Sequence, residues 1–113
     1  MKEKNMKEML DKILDIEKKY NELGEILSKP ETIADYNKFR DLSKQRKSME
    51  ETVNLYNRFK EADEAIKDAN ELLKGETDET MRDFLKSEIE TNEKKIHQYE
   101  EKMKVLLLPR DPM

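Results

Sequence analysis

Met6, Met9, Ile13, Ile16, Tyr20, Leu23 and Leu27 follow one another in alternating steps of three and four. An α-helix turns by about 100° per residue, so these steps keep all of them on one narrow stripe, the seam of a coiled coil. The spacing predicts a first helix over about residues 6–27. Gly24 sits inside it, at a cost of about 1 kcal/mol relative to alanine. Pro30 cannot continue the helix, because it lacks an N–H donor and its ring clashes with the preceding turn. A loop over residues 28–34 follows, with Asp35 as candidate N-cap of the next helix. Thr32 or Ser28 could instead cap a short earlier turn around Pro30.

The second stripe runs Phe39, Leu42, Arg46, Met49, Val53, Tyr56, Phe59 and Ala62, then resumes as Ile66, Ala69 and Leu73. Its two successive steps of three, from Tyr56 to Ala62, shift the phase of the seam. It predicts a helix over about residues 35–73, about 58 Å long, against about 33 Å for the first. Gly75 ends it, and Thr77 and Asp78 offer side-chain oxygens to the start of a third helix. That helix, over about residues 79–108, carries Met81, Leu85, Ile89, Asn92, Ile96, Tyr99, Met103 and Leu106. Connections this short make neighbours antiparallel. The expected fold is all-α, an antiparallel three-helix bundle or helical hairpin with a long central helix and coiled-coil-like packing. The first helix lies against the first half of the central one, the third runs back along its length, and residues near 60–92 project as a two-helix arm.

Composition changes this picture little but excludes much. The chain has 113 residues, 44% of them charged and 35% hydrophobic, enough apolar surface for stripes but not for a thick core around a pocket. Cysteine is absent, which removes disulfides and thiolate chemistry and suits a reducing cytoplasm. The opening MKEKNMKEML is too charged for a signal peptide, and no apolar run is long enough for a membrane span. The protein is expected to be cytoplasmic, without a membrane partner. Net charge is −4 with both signs interleaved, and no long basic arm is present.

Candidate chemistry is sparse. Glu93 and His97 share a helical face, but a metal site needs at least three ligands and there is no second histidine. Adjacent carboxylates such as Glu50 and Glu51, or Glu100 and Glu101, diverge by about 100° on a helix and read as solubilising charge. Met49, Met81 and Met103 fall on seams and read as core, and Asn92 at a seam position reads as a register device. No catalytic, cofactor-binding or metal-ligating residue is expected, and no cofactor. KQRK at residues 44–47 is the best basic cluster, making Lys44, Arg46 and Lys47 candidates for a weak RNA contact.

The end of the chain, LLLPRDPM, poses a geometric problem. Three consecutive leucines cover roughly 200° of a helix, more than one seam uses, so at least one of Leu106, Leu107 and Leu108 lacks an obvious partner. Pro109 and Pro112 then stop the helix and stiffen the exit. Leu107, Leu108 and Pro109 are therefore candidates for packing between domains. On this reading residues 1–108 form the helical domain, and residues 109–113 begin a linker to a following domain.

These residues carry a resemblance. LLLPRDP, preceded by EIETNEKKIHQYEEKMK, resembles the end of the N-terminal domain of bacterial class I peptide chain release factors, of the type reading UAA and UAG. KKYNELGEILSKPE at residues 18–31 and FRDLSKQ at residues 39–45 are similar to patterns in the same family. The sequence departs from it in TIADYN, where a shorter linker is usual, and in Gly24.

The resemblance implies a domain that contacts the large ribosomal subunit near the GTPase-associated centre and its stalk base. The partners it implies are the ribosome and the remainder of the release factor, with the chain itself a monomer. The intact factor would direct stop-codon-dependent hydrolysis of peptidyl-tRNA. In that family the codon-reading tripeptide and the Gly-Gly-Gln loop lie beyond this region, and no Gly-Gly occurs here, so the chain is not expected to be an enzyme. Two other readings are a stand-alone coiled-coil scaffold, expected to oligomerise, and a nucleic-acid-binding helical arm, expected to carry a clear basic excess on one face.

Overall fold

The computed structural model describes the backbone of residues 2–107 and the side chains of residues 7–107. The described residues form four helices and no strand: α1 (Lys2–Leu27), α2 (Pro30–Ala34), α3 (Tyr36–Gly75) and α4 (Glu79–Leu107). The chain is all-α, as its periodicity predicts. It divides into two compact units. The first comprises the residues up to Asn54 together with Leu107, and the second Leu55 to Leu106.

In the first unit, α1 buries Met9, Ile13 and Leu23 and half-buries Ile16, Tyr20 and Leu27, the stripe its spacing predicts; the side chain of Met6 lies outside the described residues. The segment expected to be a loop is instead largely the short helix α2. Pro30 is its first residue, where the missing N–H has no intrahelical role and the fixed φ suits a helix. Lys29 before it is extended (φ −77°, ψ 136°), because the proline ring disfavours the helical region for its predecessor. α2 packs back on α1 and buries Thr32.

Asp35 then caps α3. The Lys38 N–H donates to its Oδ1 (3.2 Å) and the Phe39 N–H to its carbonyl (2.9 Å). Within this unit α3 turns Leu42, Arg46 and Met49 inward to half-buried positions and buries Val53. Phe39, expected on the same stripe, remains 38% exposed one turn after the helix start.

In the second unit, α3 buries Leu55, Ala62 and Ala69 and half-buries Phe59, Ile66 and Leu73, a regular alternation of four and three. The seam here runs through Leu55, not through Tyr56 as the sequence reading has it. Tyr56 is half-buried beside it, its ring stacked on Phe59 (6.3 Å between centroids) and covered by the Lys60 ammonium at 4.6 Å. The phase change therefore takes the form of one step of two, from Val53 to Leu55, in place of two steps of three.

Facing residues on α4 are Leu85, Asn92 and Met103, all buried, with Ile89, Ile96 and Tyr99 between them. Met81, expected on this seam, is 43% exposed, and the next residue, Arg82, turns inward instead. Leu73 meets Arg82 near the turn, and Ala62 shares a groove with Asn92 farther away from it, so the two helices of this unit are antiparallel.

Candidate functional site

The turn between α3 and α4 is three residues long, too short to satisfy the carbonyls at the end of α3 by itself. Arg82 Nη1 donates to the carbonyls of Leu73 (2.9 Å) and Glu76 (2.8 Å), placing a cation at the negative end of the α3 dipole. Glu76 accepts the Asp78 N–H through Oε1 (3.1 Å), and the Asp78 carbonyl accepts the Arg82 N–H (2.9 Å) to start α4. Arg82 lies next to the seam position Met81, so the sequence pattern alone carries no signal for this clamp. Farther along, Asn92 donates from Nδ2 to the Glu88 carbonyl one turn back (2.8 Å), which lets a buried amide sit on the seam. It borders a groove of about 120 Å³ with Arg58, Glu61, Ala62, Lys95 and Tyr99.

A larger groove, about 340 Å³, lies in the first unit between α1 and α3, lined by Tyr20, Leu27, Ser43, Arg46, Lys47 and Glu50. Its floor is a clasp. Arg46 Nε donates to the Tyr20 carbonyl (3.0 Å), and the guanidinium lies over the Tyr20 ring at 3.8 Å from its centroid. This explains Gly24. A methyl group there would come within 2.9 Å of Arg46 Nη2 and 3.1 Å of its Cζ and Nε. The helix accepts a residue of poor propensity because the arginine occupies that space.

Of the three candidate RNA-contacting residues, Arg46 is thus half-buried and engaged with α1, while Lys44 and Lys47 are exposed, Lys47 at the rim of the groove. A second arginine–aromatic pair was not read from the sequence. The Arg40 guanidinium stands 5.9 Å from the centroid of Tyr36, a ring 74% exposed at the first turn of α3. Its spacing of four residues was the available signal. Arg40 also reaches Asp41 at 3.5 Å, an exposed pair of small energetic weight.

Leu107 is half-buried at the end of α4; Leu108 and Pro109 lie outside the described residues. Glu93 and His97 are both exposed, and among the described residues no group of three or more His, Cys, Asp or Glu could hold a metal ion. Among the same residues no helix is long and apolar enough to cross a membrane. The Lys67 ammonium is held above the ordinary lysine value by its hydrogen bond to Asp63 and the charge of that carboxylate, 3.1 Å away.

Comparison with known proteins adds what the geometry leaves open. The chain is 40% identical over 104 residues to peptide chain release factor 1 of Bacillus subtilis (strain 168). It is 38% identical to the protein of that name from Bacillus mycoides (strain KBAB4), and 39% to that of Oceanobacillus iheyensis. Each match covers 92% of this chain but 29% of the relative. The chain therefore spans less than a third of the length of these proteins. No solved structure matches it. The model of the PCRF domain matches residues 16–113, nearly all of the chain, including α2, both arginine clasps and the turn clamped by Arg82, and the chain belongs to the PCRF domain family.

Proposed function

We propose that this chain is the helical, ribosome-engaging part of a translation termination factor, and that it acts in the cytoplasm. The observation that carries this reading is the PCRF match over residues 16–113, together with release factor 1 relatives similar over 92% of the chain. The intact factor would direct stop-codon-dependent hydrolysis of peptidyl-tRNA. This portion would supply binding to the large subunit at its stalk base. It would do so as a monomer without a cofactor, residues 1–108 forming the helical domain and residues 109–113 the start of a linker. Leu107, Leu108 and Pro109 would pack at the junction with the remainder of the factor. A half-buried leucine at the end of α4 supports that last role, since it offers apolar surface beside a chain exit.

The reading is tested in a termination reaction on ribosomes programmed with a stop codon. The chain alone is expected to release no peptide, yet in excess to slow release by the intact factor by competing for the large subunit. Release by the purified chain at near-stoichiometric concentration would overturn the division of labour. Failure to compete, with the chain folded and monomeric by light scattering, would overturn an autonomous contact surface. A stable oligomer would favour a scaffold instead.

A further inference from the structure

Charge is spread unevenly along this acidic chain. Residues 36–48, YNKFRDLSKQRKS, hold five cations and one carboxylate in a protein whose net charge is −4. The fold sorts those cations. Arg46 is committed to Tyr20, but Tyr36, Arg40, Lys44 and Lys47 follow in steps of four, four and three along α3. At about 100° per residue they share an arc of roughly 80° and extend over about 16 Å of the helix. The arc points away from Leu42, Met49 and Val53, the residues this unit turns inward, and all four members are exposed. Asp41 lies to one side of it and Glu51 ends it.

From this arrangement we infer that the outer face of α3 between Tyr36 and Lys47 binds a single-stranded stretch of RNA. Arg40, Lys44 and Lys47 hold the phosphates, and Tyr36 stacks against a base. Charge complementarity selects the partner, since a local excess of cations on an acidic protein is stabilised by a polyanion and released counterions drive the association. The exposed ring selects an unpaired strand, because a base stacks on an aromatic face only when it is free of its own helix. Arg40, over the Tyr36 ring at 5.9 Å from its centroid, sets its charge close to the stacking base and to the phosphate that follows it. The identification of the physiological RNA as ribosomal rests on the proposed role in termination; the binding face itself does not.

The test measures binding of the whole chain to a fluorescein-labelled single-stranded oligouridylate and to a labelled RNA hairpin stem, across a series of salt concentrations. Replacing Arg40, Lys44 and Lys47 together with alanine should weaken binding to the single strand by about tenfold or more. The slope of log affinity against log salt should flatten by about 2. Tyr36→Ala should weaken the single strand by about fivefold or more and leave the stem nearly unchanged. Removing equal charge from the second unit, with Lys67, Lys74 and Lys94 changed to alanine, should leave affinity within about twofold. Circular dichroism checks that each variant remains helical.

Equal weakening by the two triple variants would overturn the inference, as would absence of binding by the unaltered chain. Preference for an oligoglutamate peptide over RNA would overturn it in favour of an acidic protein partner. The ribosome competition assay separates the two proposals. Competition without oligonucleotide binding removes the RNA face and leaves the termination reading standing, whereas the opposite result removes the autonomous large-subunit contact and leaves the RNA face standing.

Discussion

The two units solve the same shortage of apolar residues in different ways. The second builds a regular seam in which small residues, Ala62 and Ala69, alternate with larger ones, so that antiparallel helices pack along a continuous line. Its polar devices sit at the turn and at Asn92. The first buries Met9, Ile13, Leu23 and Val53 without such a regular repeat and gathers three helical pieces around Ile13, Leu23 and Thr32, with a cation–aromatic clasp where a seam would place another aliphatic residue. A guanidinium there contributes a charge-assisted hydrogen bond and ring contact, but it requires the Tyr20 ring and carbonyl and the space left at Gly24. The seam tolerates exchange among similar aliphatics, and the clasp does not.

The strongest way to break this comparison is to hollow each unit at its most enclosed aliphatic side chain. Ile13 and Met103 are both 0% exposed. Ile13→Ala and Met103→Ala should each lower stability by about 3 kcal/mol, through lost burial and the cavity left behind. Chemical denaturation measures the total, and amide hydrogen exchange locates it. The expected pattern is loss of protection first in the unit that carries the change. Uniform loss throughout would mean that the two units unfold as one.

A smaller effect sharpens the clasp. Gly24→Ala gains about 1 kcal/mol of helix propensity but pushes the guanidinium off the Tyr20 carbonyl, a charge-assisted bond worth about 1.5–3 kcal/mol. The single change should therefore destabilise the chain by about 0.5–2 kcal/mol. In an Arg46→Ala background, where the space is vacant, the same change should stabilise it by about 1 kcal/mol. A double-mutant cycle by urea denaturation reads this reversal of sign, and additive effects would show that Arg46 and Gly24 do not share the space.

The smallest expected effect is at Lys67, exposed on the second unit beside Asp63. Its raised value in the folded chain means that any stabilisation is fully present below the ordinary lysine value and fades as pH rises through the higher folded value. Below that alkaline window Lys67→Met should leave the denaturation midpoint nearly unchanged, because exposed pairs of this kind contribute little. A clear shift of the midpoint at neutral pH would indicate that surface charge, not the seam, organises this unit.

Much of this architecture is legible in the residues because long helices announce themselves through repetition. The α1 stripe, the Asp35 cap and the break after Gly75 each depend on local spacing or on one side chain's chemistry. α2 was hidden by Pro30, which forbids a helix before it and favours one starting at it; the residues alone do not say which consequence dominates over so short a stretch. Leu55 and Tyr56 are adjacent apolar residues, and only tertiary packing decides which is buried and which lies beside it. The exchange of Met81 for Arg82 is of the same kind, since the carbonyls of Leu73 and Glu76 draw inward a residue that hydropathy places outside. The candidate face on α3 was half visible as KQRK. Removing Arg46 from that cluster and adding Tyr36 and Arg40 required knowing which way the helix turns.

Gly24 and Arg46 also impose an order on sequence change. With the arginine present, alanine at position 24 is expected to be harmful; once the arginine has gone, the same alanine becomes an improvement and is readily fixed. After that, a returning arginine would gain nothing at the Tyr20 carbonyl until the alanine is undone. The route is therefore a ratchet, open in one direction and closed in the other. Lineages that have passed through it should carry helix-favouring residues at position 24 together with a shorter side chain at position 46, and intermediates bearing both alanine and arginine should be rare.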